Sequence, residues 1–265
     1  MPETFKRRGN GRPRHLILLY SEYFVKPCLL LVFLIPVLAQ PPVHVDYTCS
    51  PEDMDSFGLT CSEDRPCAVF FEVSAVDSFG SHVFVAGDIH TATTTLYGVL
   101  LSTDDGGASW TEAIPRLRFA AFEQFQILDN RGWLSGQRVE PLPKDPFFLL
   151  STDGGKTWRE RPLFEETRFG SIAHFWFESP ESGQLIFDDS VGKATNQELY
   201  GTMSGGENWE IKQKSTKPLH LPAAHPDANW KVSAPPGSTT YLIEHTVNGQ
   251  KQTVAHFLIH IGDCK

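Results

Sequence analysis

The sequence predicts an all-β fold built from repeated units of about 50 residues, and two observations support this prediction. First, an octet that ends in tryptophan occurs at 103–110, 151–158 and 202–209, so that the copies lie 48 and 51 residues apart. Second, aromatic residues alternate with smaller or polar ones upstream of the octets, and a period of two is typical of half-buried strands. Repeats of roughly 40–50 residues are typical of the blades of a β-propeller.

Each octet predicts a tight hairpin turn held together by its own side chains. A hydroxyl residue is followed by an acid, a glycine and a final tryptophan, except that Ser204 replaces the acid in the third copy. Aspartate accepts hydrogen bonds from nearby backbone N–H groups, glycine allows positive φ, and tryptophan buries a large ring. We expect these residues to be structural, and the third turn to be looser. They are Thr103, Asp105, Gly107, Trp110, Ser151, Asp153, Gly155, Trp158, Thr202, Gly206 and Trp209.

This pattern resembles the Asp-box, or BNR repeat, of sialidases, sortilin-type receptors, some glycoside hydrolases and photosystem II assembly-factor-like proteins. The resemblance covers roughly 69–209, and the Gly-Trp-Leu run at 132–134 is also similar to the photosystem II factors. It implies that each octet joins the outer two strands of a four-stranded blade, on the rim away from the central site.

The units can be followed in order along the chain. The first has strand patterns at 69–73, 83–87 and 96–101, and in the next two, 118–127 aligns with 168–177 without gaps. The last has no octet, but Asn248-Gly249 between two alternating runs predicts a two-residue hairpin. We predict a Cys-bearing N-terminal segment at 40–67 and, at 68–265, a small or incomplete propeller of about four to five four-stranded blades.

Two proline-rich stretches, 137–146 and 212–227, interrupt the strand patterns. Because proline cannot donate to a β-ladder, we expect loops at the blade edges there. Such loops often carry the binding function of a domain.

Residues 1–39 predict a secretory signal peptide. Basic residues precede an apolar stretch of 11 residues at 29–39, and small residues before Gln40 suit cleavage. The apolar stretch is too short for a membrane span of about 20 residues, although an uncleaved anchor is the alternative. We therefore expect a secreted or periplasmic, extracytoplasmic protein without a membrane span after cleavage.

The charge and the cysteines fit this compartment. Residues 1–39 contain six of the 23 basic and two of the 32 acidic residues, so the remainder has 17 against 30 and a formal charge of −13. Clustered Lys and Arg are absent from it, which argues against nucleic acid as a partner. Four cysteines remain, Cys49, Cys61, Cys67 and Cys264, and we predict the disulfides Cys49–Cys61 and Cys67–Cys264 among three possible pairings.

Arg118 and Arg168 are the candidate binding residues. They occupy the same register in successive units, near the start of the expected innermost strand, so both guanidinium groups would face one mouth of the central axis. Paired guanidinium groups bind carboxylates well. The resemblance to the photosystem II factors likewise implies an arginine-bearing surface for a client, which Arg116 and Arg138 could join. In the alternative, each arginine pairs with an acid of a neighbouring blade.

The sequence offers no catalytic signature, and we predict no catalytic residue, metal site or cofactor. The candidate acids by residue type are Asp188, Asp189, Glu165, Glu166 and Glu123, and adjacent acids on a strand face opposite ways. Asp88 and His90 share a strand face, but a third metal ligand is missing. We therefore predict a secreted, non-catalytic scaffold that binds a protein or glycan. The alternative is a sialidase-like or other glycoside hydrolase.

Overall fold

The computed structural model describes residues 41–190, 192–221 and 229–265. The predicted signal peptide lies outside this part of the chain. Within it there is one α-helix, α1 (Pro51–Ser56), and no helix there has the length and apolar character needed to cross a bilayer. The other regular elements are strands, so the all-β prediction is confirmed. The strands are β1 (Cys67–Phe79), β2 (His82–His90), β3 (Thr95–Thr103), β4 (Thr111–Glu112), β5 (Leu117–Arg118), β6 (Ala120–Leu128), β7 (Arg131–Val139), β8 (Pro143–Ser151), β9 (Arg159–Pro162), β10 (Ser171–Phe177), β11 (Gly183–Asp188), β12 (Gln197–Thr202), β13 (Glu210–Ser215), β14 (Trp230–Ser233), β15 (Thr240–Val247), β16 (Gln250–Leu258) and β17 (His260–Cys264).

These strands form four antiparallel sheets. The first sheet has the order β17-β1-β2-β3-β4, with β5 also paired to β3. The second sheet contains β6 to β9, the third β10 to β13, and the fourth β14 to β16. In each of the first three sheets, the tryptophan octet connects the last two strands of a four-stranded meander. Consecutive meanders of this kind are the building unit of propeller-like folds.

The first two octets form turns closed by the side chains of the octets themselves. Asp105 Oδ1 accepts hydrogen bonds from the Thr103 hydroxyl at 2.7 Å and from the backbone N–H of Ser109 at 2.9 Å. Asp153 makes the equivalent bonds in the second octet. The hydroxyl and the backbone N–H of Thr157 donate to Asp153 and lower the pKa of this carboxyl to about 2. Both aspartates are thus used as hydrogen-bond acceptors within their turns.

The third octet keeps the same backbone path with a hydroxyl in place of the carboxylate. Ser204 Oγ accepts the bond from the backbone N–H of Asn208 at 3.0 Å, and its distance to the Thr202 hydroxyl is 3.2 Å. Gly206 has φ +92°, almost the value of Gly107 at +93°. A serine hydroxyl has no second carboxylate oxygen to offer, so this turn has weaker internal bonding than the other two.

Each octet tryptophan packs against a neighbouring sheet. The ring pairs are Trp110 with Phe257, Trp158 with Phe84, and Trp209 with Phe148, at centroid distances of 5.1, 5.4 and 5.6 Å. The first octet therefore contacts the fourth sheet, the second contacts the first sheet, and the third contacts the second sheet. Apolar clusters fill these three interfaces. Trp110 of the first sheet thus packs on the fourth sheet in the same way as Trp158 of the second sheet packs on the first.

Two glutamine side chains of β6 connect the second sheet to the third. Gln126, which is 2% exposed, donates to the backbone C=O of Phe177 at 2.7 Å and accepts from its N–H at 2.9 Å. Gln124 makes the same pair of bonds with Phe175, at 2.9 and 3.2 Å. Because buried polar groups need partners, these bonds fix the register between the two sheets.

The structure contains two disulfides among the four predicted cysteines, but their connectivity corrects our prediction. Cys49 bonds to Cys264, and Cys61 bonds to Cys67. Cys67 lies directly opposite Cys264 in the β1–β17 ladder, yet the buried side chain of Cys264 bonds to Cys49 in the N-terminal segment. Cys61 and Cys67 flank a tight turn six residues apart, which brings them together locally. The expected link between the two ends of the domain is present, formed by a different cysteine.

The proline-rich stretch 137–146 is another correction, because it is largely strand. Strand β8 begins at Pro143 and pairs with β7. Pro143 is the first residue of the strand, and Pro146 falls at an irregularity in the ladder, so neither position needs an N–H donor. Both carbonyl oxygens still accept backbone hydrogen bonds. The second proline-rich stretch, 212–227, also begins within a strand, which ends at Ser215, and part of it lies outside the described residues.

Candidate functional site

Two neighbouring cavities of opposite character are the candidate functional region. The first, which we call the basic groove, has a volume of about 380 Å³. Its lining residues are Arg116, Leu117, Arg118, Phe119, Arg138, Glu140, Lys144 and Asp145. It contains one of the two predicted binding arginines, Arg118, together with Arg116 and Arg138, whose participation the sequence left open. Arg168 does not line this groove.

Three of the four cations in the basic groove have acidic partners. The ion pairs are Arg116 with Glu112, Arg138 with Glu160, and Lys144 with Glu140, at 2.7, 2.6 and 2.7 Å. Arg118 is exposed and has no ion pair with a carboxylate in the described part of the chain. Its guanidinium carbon lies 4.8 Å from the centre of the Phe57 ring. Arg118 is therefore a cation held over an aromatic face with its donors available.

The N-terminal segment positions the aromatic ring under Arg118. Helix α1 begins with a capping box in which Ser50 and Asp53 satisfy each other's backbone N–H groups. The Tyr97 hydroxyl of β3 donates to Asp53 Oδ1 at 2.6 Å, which attaches the helix to the first sheet. Phe57 follows the helix and packs edge-on against Tyr97 at 5.2 Å. The segment at 40–67 thus supports Arg118 of the groove through Phe57 without lining the groove itself, which the sequence did not indicate.

Arg168 has a different environment from Arg118. Its guanidinium donates to Glu198 at 3.0 Å and to the Tyr200 hydroxyl at 3.1 Å, and lies 3.6 Å from Asp189. Burial opposes the charge of Glu198, yet hydrogen bonds from Lys214, Tyr200 and Arg168 lower its pKa to about 2. Arg168 is thus paired with an acid, as in the alternative interpretation of the sequence. The acid does not come from a neighbouring unit, because Glu198 belongs to the third sheet, whose first strand directly follows Arg168.

The repeat explains why the two arginines differ. The octets of the second and third sheets begin at Ser151 and Thr202, so Glu198 corresponds to Phe147 in the second sheet. Phe147 carries no charge, and its ring lies 4.8 Å from the guanidinium of Arg138. The second sheet therefore offers Arg118 no acid at the position where the third sheet offers one to Arg168.

The second cavity, which we call the acidic pocket, has a volume of about 560 Å³ and adjoins the basic groove at Phe119 and Glu140. Four carboxylates line it: Glu72 on β1, Asp88 on β2, Glu123 on β6 and Glu140 after β7, and the last of these is paired with Lys144. Glu72 and Asp88 are direct cross-strand partners in the β1–β2 ladder. Residues of the first and second sheets thus bring four acids to one cavity, and Glu72, Asp88 and Glu123 have no ion pair with a lysine or arginine of the described residues.

The partners of these acids are few. His90 Nε2 lies 3.7 Å from a Glu72 oxygen, and the Gln137 amide nitrogen donates to Glu123 at 2.7 Å. The carbonyl oxygen of Gln137 is buried, and no described residue donates a hydrogen bond to it. Burial, and then the charges of Glu72 and Glu123, raise the pKa of Asp88 to about 7. Asp88 is therefore partly protonated at neutral pH.

The other acids that the sequence suggested, Asp188, Asp189, Glu165 and Glu166, are not among the described residues that line the acidic pocket. Asp188 accepts hydrogen bonds from the Ser190 N–H and the Gln197 amide; burial opposes its charge, but these bonds lower its pKa. Asp189 contacts Arg168, and Glu165 is exposed. Within the described residues, no three histidine, cysteine or acidic side chains are placed to hold a metal ion.

Sequence reasoning found part of the acidic pocket and missed the rest. The even spacing of Asp88 and His90 correctly suggested a shared strand face, and Glu123 was among the candidate acids. Glu72 and Gln137 were not singled out. A signal for Glu72 was present, since it lies in a clear strand pattern, but its place opposite Asp88 depends on a ladder register with a bulge between Val73 and Ala75.

No protein-family model matches this sequence, and a search of curated proteins also gave no match. Among solved structures, the chain is similar to "YCF48 bound to D1 peptide" at 20% identity and TM-score 0.38, covering 82% of this chain and 60% of that one. It is similar to the GH74 xyloglucanase of Xanthomonas campestris at 16% identity and TM-score 0.36, covering 64% of this chain and 26% of that one. It is also similar to Zg3597, a family 117 glycoside hydrolase of Zobellia galactanivorans, at 9% identity and TM-score 0.38, covering 82% and 75%. The chain thus spans about 60% of the first of these structures and about a quarter of the second.

Proposed function

We propose that this protein is a secreted, non-catalytic scaffold that binds an acidic segment of a partner protein in the basic groove. In this proposal the fold is a four-bladed, propeller-like domain, the fourth blade is reduced to three strands, and the octets are Asp-boxes. The two disulfides support an extracytoplasmic location, because such bonds persist in oxidising compartments.

The observation that carries the proposal is the guanidinium of Arg118, which has no carboxylate partner among the described residues. A planar fork of N–H donors binds a carboxylate with two parallel hydrogen bonds, and the Phe57 ring limits the orientations that the fork can take. Less conformational entropy is then lost on binding. The neighbouring cations are occupied by their own acids, so Arg118 is the anchor of the groove.

The negative net charge of the chain disfavours nonspecific binding of an acidic peptide, so such a peptide is a suitable probe. Without residues 1–39 the chain has a formal charge of −13, so an acidic peptide is repelled by most of the surface and binds only where a local site overcomes this repulsion. The probe is a fluorescein-labelled decapeptide of alternating Glu and Ala, and a Gln–Ala decapeptide is its neutral control. Fluorescence anisotropy measures the affinity at two salt concentrations, since surface charge pairing weakens as salt increases.

We expect Arg118→Gln to weaken binding of the Glu–Ala peptide at least about tenfold, because hydrogen bonds to charged groups contribute about 1.5–3 kcal/mol. Arg168→Gln is the matched control: it makes the same change of charge at the equivalent position of the next repeat. Since Arg168 is already paired with Glu198, we expect this variant to bind within about twofold of the original while losing stability.

Equal losses in the two variants, or equal binding of the Glu–Ala and Gln–Ala peptides, would contradict the proposal. A uronate oligosaccharide is included in the same assay. Tight binding of the sugar without binding of the acidic peptide would replace the protein partner by a glycan.

A further inference from the structure

The acidic pocket has a charge arrangement that the described residues do not balance. Glu72 and Asp88 lie directly opposite each other on neighbouring strands, where like charges destabilise a sheet. Glu123 adds a third carboxylate from the second sheet. Such an arrangement costs stability, so a ligand that offsets the charge would be bound favourably there.

The pocket lining supplies no strong cation. None of the described lining residues is lysine or arginine, and His90 is the only basic side chain among them. Lys144, which is paired with the lining residue Glu140, belongs to the basic groove. A positively charged group entering the pocket therefore meets Glu72, Asp88 and Glu123, none of which has an ion pair with a lysine or arginine of the described residues.

Gln137 is the second and independent indication of a ligand. It is 4% exposed and lies on the pocket wall, where its amide nitrogen donates to Glu123. Its amide oxygen is then the acceptor left without a donor. Buried acceptors without partners are rare and costly, so an N–H donor that reaches this oxygen would be bound favourably.

We propose that the acidic pocket binds the ammonium group of a primary amine. An ammonium has three N–H donors and no acceptor, which suits a wall of carboxylates with one free amide oxygen. The rings of Phe57, Phe119 and Phe122 line the same cavity and accommodate the aliphatic carbons of the amine. This inference does not depend on the basic groove. The amine belongs either to a free small molecule or to a lysine side chain of a partner.

The affinity has a defined pH dependence. Asp88 lies within range of the charges of Glu72 on β1 and Glu123 on β6, and Tyr241 of β15 lies within range of its own charge. His90 on β2 and Glu140 after β7 line the same pocket. Raising the pH from 6 to 8 deprotonates Asp88, whose pKa is about 7. Since the charged form attracts the cation, binding tightens several-fold over this interval.

The test is a titration of the ¹⁵N-labelled protein with n-butylammonium chloride, followed by NMR chemical shifts at constant ionic strength. Tetramethylammonium is the control for a cation without N–H donors, and 1-butanol is the control for the alkyl chain. A tripeptide, N-acetyl-Ala-Lys-Ala amide, distinguishes a lysine side chain from a free amine. We expect shifts confined to the pocket with butylammonium, at least fivefold weaker binding of tetramethylammonium, and none of 1-butanol.

Glu123→Gln removes one carboxylate and is expected to weaken butylammonium binding at least tenfold. The matched control is Glu165→Gln, because Glu165 is exposed and does not line the pocket. If Glu123→Gln does not fold, the pH dependence of the unmodified protein decides the question.

Tighter binding of the tripeptide than of butylammonium supports a lysine of a partner, and equal or weaker binding supports a free amine. Absence of butylammonium binding, affinity that does not change between pH 6 and 8, or turnover of a chromogenic glycoside that Glu123→Gln abolishes would overturn the proposal.

Discussion

Replacing Cys49 and Cys264 by alanine is expected to lower the free energy of unfolding by about 4–5 kcal/mol, because this disulfide closes a loop of 215 residues. A cross-link removes conformations from the unfolded chain, and the entropy that it removes grows with the length of the loop. The bond also attaches the N-terminal segment to the last strand of the first sheet. Urea unfolding followed by tryptophan fluorescence measures the change.

The second disulfide is the natural control. Cys61–Cys67 spans six residues, so its replacement by alanine is expected to cost only about 2 kcal/mol on the same entropy argument. Equal losses from the two pairs of substitutions, or a larger loss from the short loop, would show that the long disulfide does not hold the ends of the domain together.

The Asp88→Asn variant is expected to be more stable than the original protein at pH 8, by about 2–3 kcal/mol. Folding raises the pKa of Asp88 from 3.8 to about 7, since the carboxyl is buried beside Glu72 and Glu123. Well below pH 3.8 the group is protonated in both the folded and the unfolded states and costs nothing, and at pH 4 the cost is only about 0.5 kcal/mol. Above pH 7 the folded protein must hold the charge, and three pKa units correspond to about 4 kcal/mol before solvent screening. Urea unfolding at pH 4 and pH 8 measures the difference.

At pH 4 the Asp88→Asn variant should match the original protein within about 0.5 kcal/mol, a typical difference for substitutions without a specific mechanism. Asp188→Asn is the control of opposite sign. Its hydrogen bonds lower the pKa of Asp188, so this carboxylate stabilises the fold above its unfolded pKa, and the variant should lose stability at pH 8. A gain for Asp88→Asn that is equal at both pH values would mean that the charge of Asp88 is not the cause.

The fold was largely predictable because its determinants are local and repeated. Asp105 and Asp153 bond within their own turns, and Asn248-Gly249 forms the predicted hairpin with positive φ at both residues. The errors arose where the tertiary context decides. Pro143 is tolerated because it begins a strand, and the choice of Cys49 as the partner of Cys264 depends on the path of a segment without a repeat pattern.

The candidate site was less predictable because it too depends on tertiary context. Arg118 and Arg168 look equivalent in the sequence, yet Glu198 neutralises one of them and Phe147 replaces this acid for the other. The difference lies in the residues that surround the arginines, on strands whose register must be known. Glu72 lies opposite Asp88 only because of the register between β1 and β2. The positions of the arginines and acids in the sequence therefore could not predict the acidic pocket or the different environments of Arg118 and Arg168.

The most direct test of the central claim, that a partner binds at Arg118, is hydrogen–deuterium exchange of the protein with and without the Glu–Ala decapeptide. Binding in the basic groove predicts slower exchange at 113–119 and 138–146, the segments that contain its lining residues, with no change at 198–202 around the partner acid of Arg168. Protection centred on 198–202, or spread evenly over the four sheets, would contradict the claim.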